Sequence, residues 1–237
     1  MPNFKDLQSV HKLFSSSVRK LYECGITPEM KAAQEHFMSV LSQLEKLDWE
    51  NKSSLKQFNY DCLTLCALLK INDKYPVIIG EDPADFTDDV RRIRKIFELG
   101  TNFVDYVEFR FPDWIDDTLI DDLKRIIELV QSKSVIVNSI PIEIAECLPP
   151  VHDLTVKATY FSDLSKSFLS LKMKDVFLPN RLSLSCERVD TPSCRVVVEA
   201  VASLFESRGI NVSILVFWKY FNVDSGSISP YTLASPL

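Results

Sequence analysis

From residue 104 onward this chain repeats one unit: a short run in which apolar and polar side chains alternate, then a stretch with apolar residues at helical spacing. Alternation with a period of two buries one face of a strand and wets the other, whereas a period of 3.6 marks one face of a helix. A chain that keeps switching between the two periods can bury both apolar faces only by stacking helices on a sheet. In Asp105 to Phe111, Val107, Phe109 and Phe111 alternate with Tyr106, Glu108 and Arg110. Further strands are predicted at Ser134-Val135-Ile136-Val137, at Leu154 to Ala158, at Leu182 to Cys186 and at Ile210 to Trp218. Strands buried on both faces read as continuous apolar runs, so the alternation predicts helices on one face of the strands and an open face on the other. The final strand, apolar at Ile214-Leu215-Val216-Phe217, departs from that pattern.

The segments between the strands carry helix punctuation. Thr87 with Asp88 and Asp89 opens a helix with the stripe Val90, Ile93 and Phe97, and Gly100 is expected to stop it. Residues 116–131 show the stripe Leu119, Ile120, Leu123, Ile127 and Val130, and a short helical piece is read near Ile142 to Cys147, before Pro149-Pro150. Thr191, Pro192 and the stripe Val197, Ala200, Val201, Leu204 and Phe205 predict a last helix that ends at Gly209. The first third is helical. Phe4, Leu7, Val10, Phe14, Val18 and Leu21 share one face, and Thr27-Pro28-Glu29 opens a second helix with Phe37, Val40, Leu41 and Leu44. A third begins near Ser54, carries Leu55, Phe58, Cys62, Leu65, Cys66 and Leu69, and ends at Asn72-Asp73. The organisation that follows is a helical region over 1–85, an irregular strand-helix repeat over 86–221 and a flexible tail over 222–237.

Strand centres recur at roughly 19 to 31 residues, near the period of stacked repeats. The leucine-rich pattern L-x-x-L-x-L-x-x-N/C-x-L is met by Val104, Val107, Phe109 and Trp114, and again by Val151, Leu154, Val156 and Phe161. Pro112 and Thr159 stand at its asparagine or cysteine position, so the repeat is a divergent one. On these residues the run from Val104 to Trp218 resembles a divergent leucine-rich-type domain. It is similar in style to the carboxy-terminal domains of nematode F-box proteins, of the FOG-2 homology type. The resemblance implies an α/β layer and a role as an adaptor or substrate receptor related to ubiquitin-ligase components. The leucine-proline opening and helix set of an F-box are absent from residues 1–70, so the ligase-docking half of that role is not carried over.

Composition bounds the partners. A net charge of −6 and a pI near 5.2 repel phosphate backbones and anionic lipid surfaces, so neither nucleic acid nor a membrane is an expected partner. The longest apolar run, Val212 to Phe217, is far short of the roughly 20 residues that cross a bilayer. No secretory signal is visible at the start, so a cytoplasmic location, with a nuclear one as the alternative, and reduced thiols at Cys24, Cys62, Cys66, Cys147, Cys186 and Cys194 are expected.

Candidate chemistry is sparse. Glu81, Asp82, Asp85, Asp88 and Asp89, then Asp113, Asp116, Asp117, Asp121 and Asp122, could offer oxygen ligands to a divalent cation, but most occupy first helical turns, where they offset the helix dipole. Cys147, His152 and Asp153 hold the types of a thiol nucleophile, its base and an orienter, although catalytic groups are more often united by the fold than adjacent in sequence. Cys62 and Cys66 lie one helical turn apart with no second pair at zinc spacing, which fits buried thiols. No phosphate loop and no nucleophile elbow occur, and no cofactor or metal is expected. The leading expectation is a non-enzymatic protein-protein interaction module. It would bind protein partners through the open strand face, displaying Tyr106, Glu108, Arg110, Asn138, Thr155, Lys157, Ser183, Ser185 and Glu187. The alternative is a hydrolase or metal-dependent enzyme that uses the region of Cys147 and His152 or an acidic cluster.

Overall fold

A computed structural model describes residues 12, 15–20, 31–44, 46–48, 50–140, 151–160, 180–188, 203, 205–221 and 228–232. The protein is a mixed α/β molecule. Helices α1 (Lys31–Leu44) and α2 (Lys52–Leu68) come first, then β1 (Tyr75–Ile79), α3 (Phe86–Leu99), β2 (Val104–Phe109) and α4 (Ile120–Leu129). Strands β3 (Ser134–Val137), β4 (Asp153–Tyr160), β5 (Arg181–Arg188), β6 (Asn211–Phe221) and β7 (Ile228–Thr232) follow. Residues 12 and 15–20 and residues 203, 205 and 206 are also helical. Phe4, Leu7, Val10, Phe14 and Leu21, the Thr27-Pro28-Glu29 start, the piece from Ile142 to Cys147, Phe161 and most of the helix after Thr191 lie outside the described residues. Among the described residues no helix is long and apolar enough to cross a membrane.

The seven strands form one sheet in chain order, β1 to β7. Strands β2 to β6 pair in parallel, each with the next in sequence, and β7 closes the order antiparallel to β6. β7 lies within the stretch 222–237 that the sequence pattern leaves without an element. By internal contacts the chain divides into two units, residues 1–76 with 91–105, and residues 77–90 with 106–237. The division runs through β1, α3 and β2.

In the first unit, Leu55, Phe58, Cys62, Leu65 and Cys66 of α2 are buried, as their spacing predicts. Asn51 caps that helix, its side chain accepting from the backbone N–H of Ser53 and Ser54 at 3.0 and 3.2 Å, which satisfies donors the helix cannot pair itself. The helix stops before Asn72. Lys70 takes the left-handed conformation at φ +50°, and Ile71 N–H returns to the Cys66 carbonyl at 3.0 Å, the closure a glycine usually makes. Gly100 stands where α3 ends, as expected of it, with φ +159°.

In the second unit the register across β2 to β5 puts like residues side by side. Val107, Val135, Leu154 and Leu182 form one row, and Phe109, Val137, Val156 and Leu184 the next; all eight are buried. Leu119, Leu123, Ile126, Ile127 and Val130, in and around α4, are buried as well. The intervening strand positions Tyr106, Glu108, Ser134, Ile136, Asp153, Thr155, Ser183 and Ser185 are partly exposed, and Lys157 and Arg181 are exposed. Trp114, read from sequence as an apolar position of the leucine-rich pattern, is instead 76% exposed. The chain leaves β2 through Pro112 and reaches the buried Ile115 three residues later, so the tryptophan ring stays outside.

The acidic clusters hold helix entrances, as the dipole argument anticipates. Asp82 accepts from Ala84 N–H at 3.0 Å, Asp116 from Thr118 N–H at 2.9 Å, and the buried Asp89 from Gly80 N–H at 3.2 Å. Gly80 itself, at φ +80°, ends β1 where a Cβ would stand 2.5 Å from the Arg110 carbonyl and 2.5 Å from the Phe86 ring. Gly209 has the same φ with nothing within 4 Å. Gly80→Ala therefore suffers left-handed strain plus a clash with backbone, while Gly209→Ala suffers the strain alone, about 1–2 kcal/mol. Chemical denaturation should show Gly80→Ala to be the more damaging change by at least about 1 kcal/mol; equal losses would contradict the packing described around Gly80.

Candidate functional site

Parallel pairing fixes which side chains of the open face lie beside one another. Tyr106, Ser134, Asp153, Arg181 and Asn211 form one row across β2 to β6, and Glu108, Ile136, Thr155 and Ser183 the next across β2 to β5. Lys157 aligns with Ser185, beyond Thr155 and Ser183. Of the residues expected on this face, Tyr106, Glu108, Arg110, Asn138, Thr155, Lys157, Ser183 and Ser185 all have partly or fully exposed side chains. Glu187 lies in β5, and its side chain falls outside the described residues.

Among the described residues two charged groups stand on the face. Glu108 Oε1 accepts from Arg110 Nε at 2.9 Å, and its Oε2 lies 3.9 Å from Lys157 Nζ on a strand two places away. Asp153 Oδ1 lies 3.3 Å from His152 Nδ1 and 3.7 Å from Arg181 Nε on the neighbouring strand. That oxygen is buried and, among the described residues, accepts no hydrogen bond, so the Arg181 guanidinium is the charge that balances it. Arg181 and Asp153 were not among the residues expected to bind. Arg181 precedes Ser183 by two positions and so obeys the same alternation, and extending the β5 reading outward from Leu182 would have found it.

Asn138 has a structural task. Its Oδ1 accepts from Phe111 N–H at 2.9 Å and its Nδ2 donates to the Phe111 carbonyl at 3.1 Å, so one amide satisfies both backbone groups of a residue leaving the sheet. Phe111 stacks on Phe109 with ring centroids 5.3 Å apart and meets Phe86 edge-on at 5.8 Å. The amide thereby holds the segment that carries Arg110. Of the alternative catalytic group, His152 and Asp153 are in contact, and Cys147 lies outside the described residues. Among the described residues no three of His, Cys, Asp and Glu gather where a metal ion could sit.

The first unit holds a separate polar cluster. Tyr75 donates its hydroxyl hydrogen to Ser16 Oγ at 2.7 Å, and Ser16 donates to Asp73 Oδ2 at 2.5 Å. Arg19 reaches the same oxygen at 3.0 Å, beside an open cavity of about 460 Å³ lined by Lys12, Ser15, Ser16, Arg19, Asp73 and Lys74. The Ser16 hydrogen bond, helped by the charge of Arg19, holds the Asp73 carboxyl below its usual range. Burial pushes the Tyr75 hydroxyl up. Cys62 and Cys66, on α2, are buried, and desolvation raises both thiols, Cys66 to about 12. Raised thiols are poor nucleophiles at neutral pH, which removes this pair from the candidates for covalent chemistry.

No protein-family model, curated protein or solved structure matches this chain.

The thiols give a pH dependence with a definite sign. Folded Cys62 and Cys66 keep protons that the unfolded chain loses near 9.0, so their contribution is complete below that pH and is lost as pH rises toward about 12. Between about pH 8 and about pH 11 the melting temperature of the wild type should fall more steeply than that of Cys62→Ala/Cys66→Ala. Parallel curves would show that the thiols are not held in a desolvated site.

Proposed function

We propose that this chain is a non-enzymatic protein-interaction module that engages a polypeptide partner through the open face of its parallel sheet. One observation carries the reading: across four neighbouring strands, burial alternates in register. A continuous surface of tyrosine, serine, threonine and charged side chains thus lies opposite a buried apolar face. Sheet faces of this make-up suit recognition, because a rigid backbone holds the contacting groups and little entropy is lost on binding. Tyrosine and arginine, the types that most often anchor interfaces, stand at Tyr106, Arg110 and Arg181.

The finer architecture in this proposal is a divergent leucine-rich-type layer with its helices on one side. Consecutive parallel strands support it, since crossovers of one hand carry connecting helices to the same face. So does the burial of Val104, Val107 and Phe109 and of Val151, Leu154 and Val156, the spacing of the leucine-rich pattern. Within this reading the module serves as an adaptor or substrate receptor of the kind its resemblance implies, in the cytoplasm.

Tyr106→Ala and Arg110→Ala should each weaken partner binding by about 1 kcal/mol or more, roughly fivefold in Kd, while the melting temperature stays nearly constant. Quantitative affinity capture with the wild type and both variants checks this. Partners retained equally by all three proteins would move the interaction off this face, and unfolding of either variant would mean that the face is buried.

A further inference from the structure

The two charged groups on the open face share an asymmetry. The acids are recessed, with 16% of the Glu108 side chain and 33% of the Asp153 side chain exposed. The cations stand above them, with 41% of Arg110, 53% of Lys157 and 60% of Arg181 exposed. Each acid is thus covered by the cations it anchors, and an approaching molecule meets positive charge first, on a chain whose net charge is −6. Arg110 and Arg181 approach their carboxylates through Nε. A guanidinium held in that way keeps the edge formed by its terminal nitrogens for a second carboxylate.

The spacing narrows the ligand further. Arg110 directly follows β2 and is level with Lys157 on β4, so two strand spacings, about 10 Å, separate their backbones. Arg181, paired with Asp153, lies four residues back along the strand direction from the level of Lys157, about 13 Å. An extended peptide covers these distances in about three and four residues. Resting on the interaction reading above, we propose that the partner contributes an acidic polypeptide segment, with carboxylates three to four residues apart. These carboxylates bridge Arg110, Lys157 and Arg181, while Tyr106 and Ile136 supply apolar contact between them. A nucleic acid fits less well, because its affinity grows with the number of phosphates neutralised, and among the described residues this face offers three cations interleaved with two acids.

A phage-displayed library of random 12-residue peptides, selected on the full chain, tests the proposal. Enriched sequences should carry Asp or Glu at three- or four-residue spacing. Their synthetic versions should bind at least tenfold more weakly to Arg110→Gln/Lys157→Gln/Arg181→Gln and to Lys157→Glu, and more weakly as salt is raised. Circular dichroism confirms that each variant is folded, and the single change keeps the test informative if the triple variant is not. Neutral or basic sequences that still depend on Tyr106 would overturn the acidic ligand and leave the interaction face standing. Sequences indifferent to every one of these substitutions, or no enrichment at all, would overturn both. Tighter binding of a single-stranded oligothymidine than of the selected peptides would also overturn the proposal, in favour of a nucleic-acid ligand.

Discussion

Parallel strands of adjacent sequence units bring equivalent residues side by side, and in this protein that register is the constraint from which the rest follows. Val107, Val135, Leu154 and Leu182 share one row and Phe109, Val137, Val156 and Leu184 the next, so each strand extends an apolar surface its neighbour has begun. Burying one such side chain is worth about 1.5–3 kcal/mol, and a slip of one residue would turn every one of them outward at once. Register is therefore fixed by many residues together, and no single substitution resets it. The stacked phenyl rings of Phe109 and Phe111, closed edge-on by Phe86, extend this core past the end of β2.

The same register makes the opposite face continuous. Because alternation is in phase from strand to strand, the polar residues form rows as regular as the apolar ones, and charges on different strands come within reach of one another. Lys157 meets Glu108 from two strands away, and Arg181 meets Asp153 from the next. The cations of these pairs stand in solvent over recessed acids, and ion pairs at a surface contribute little to stability, with a median of about 0–1 kcal/mol. Their consequence lies in recognition, since they orient cations at fixed places on a rigid sheet. Asn138 shows the two faces meeting at a strand end: its side chain starts on the polar side and closes the backbone of Phe111, a residue of the core.

Much of this was legible in the sequence because period-two alternation reports burial directly. Val107, Phe109, Val135, Val137, Leu154, Val156, Leu182 and Leu184 are buried as the alternation requires, and Tyr106, Glu108 and Arg110 face the other way. The readings that failed depended on where the chain goes between elements. Trp114 sits in a connection where a matched spacing says nothing about which way the loop turns. The end of α2 also escaped the pattern, because Lys70 adopts the left-handed conformation that composition would not suggest. At the candidate site, Asn138 obeys the alternation, but its two hydrogen bonds to Phe111 depend on the path of a loop twenty-seven residues earlier, which no local pattern encodes.

Cysteine-scanning accessibility along β2, β3 and β4 tests the phase of the sheet most directly. Single cysteines at Tyr106, Glu108, Ser134, Ile136, Asp153 and Thr155, and at Val107, Phe109, Val135, Val137, Leu154 and Val156, would be alkylated in the folded protein, with labelled peptides quantified by mass spectrometry. Fast labelling at the first set and protection at the second, in phase on all three strands, is the result this account predicts. Protection of both sets, or an opposite phase on any one strand, would contradict a continuous open face and the binding surface built on it.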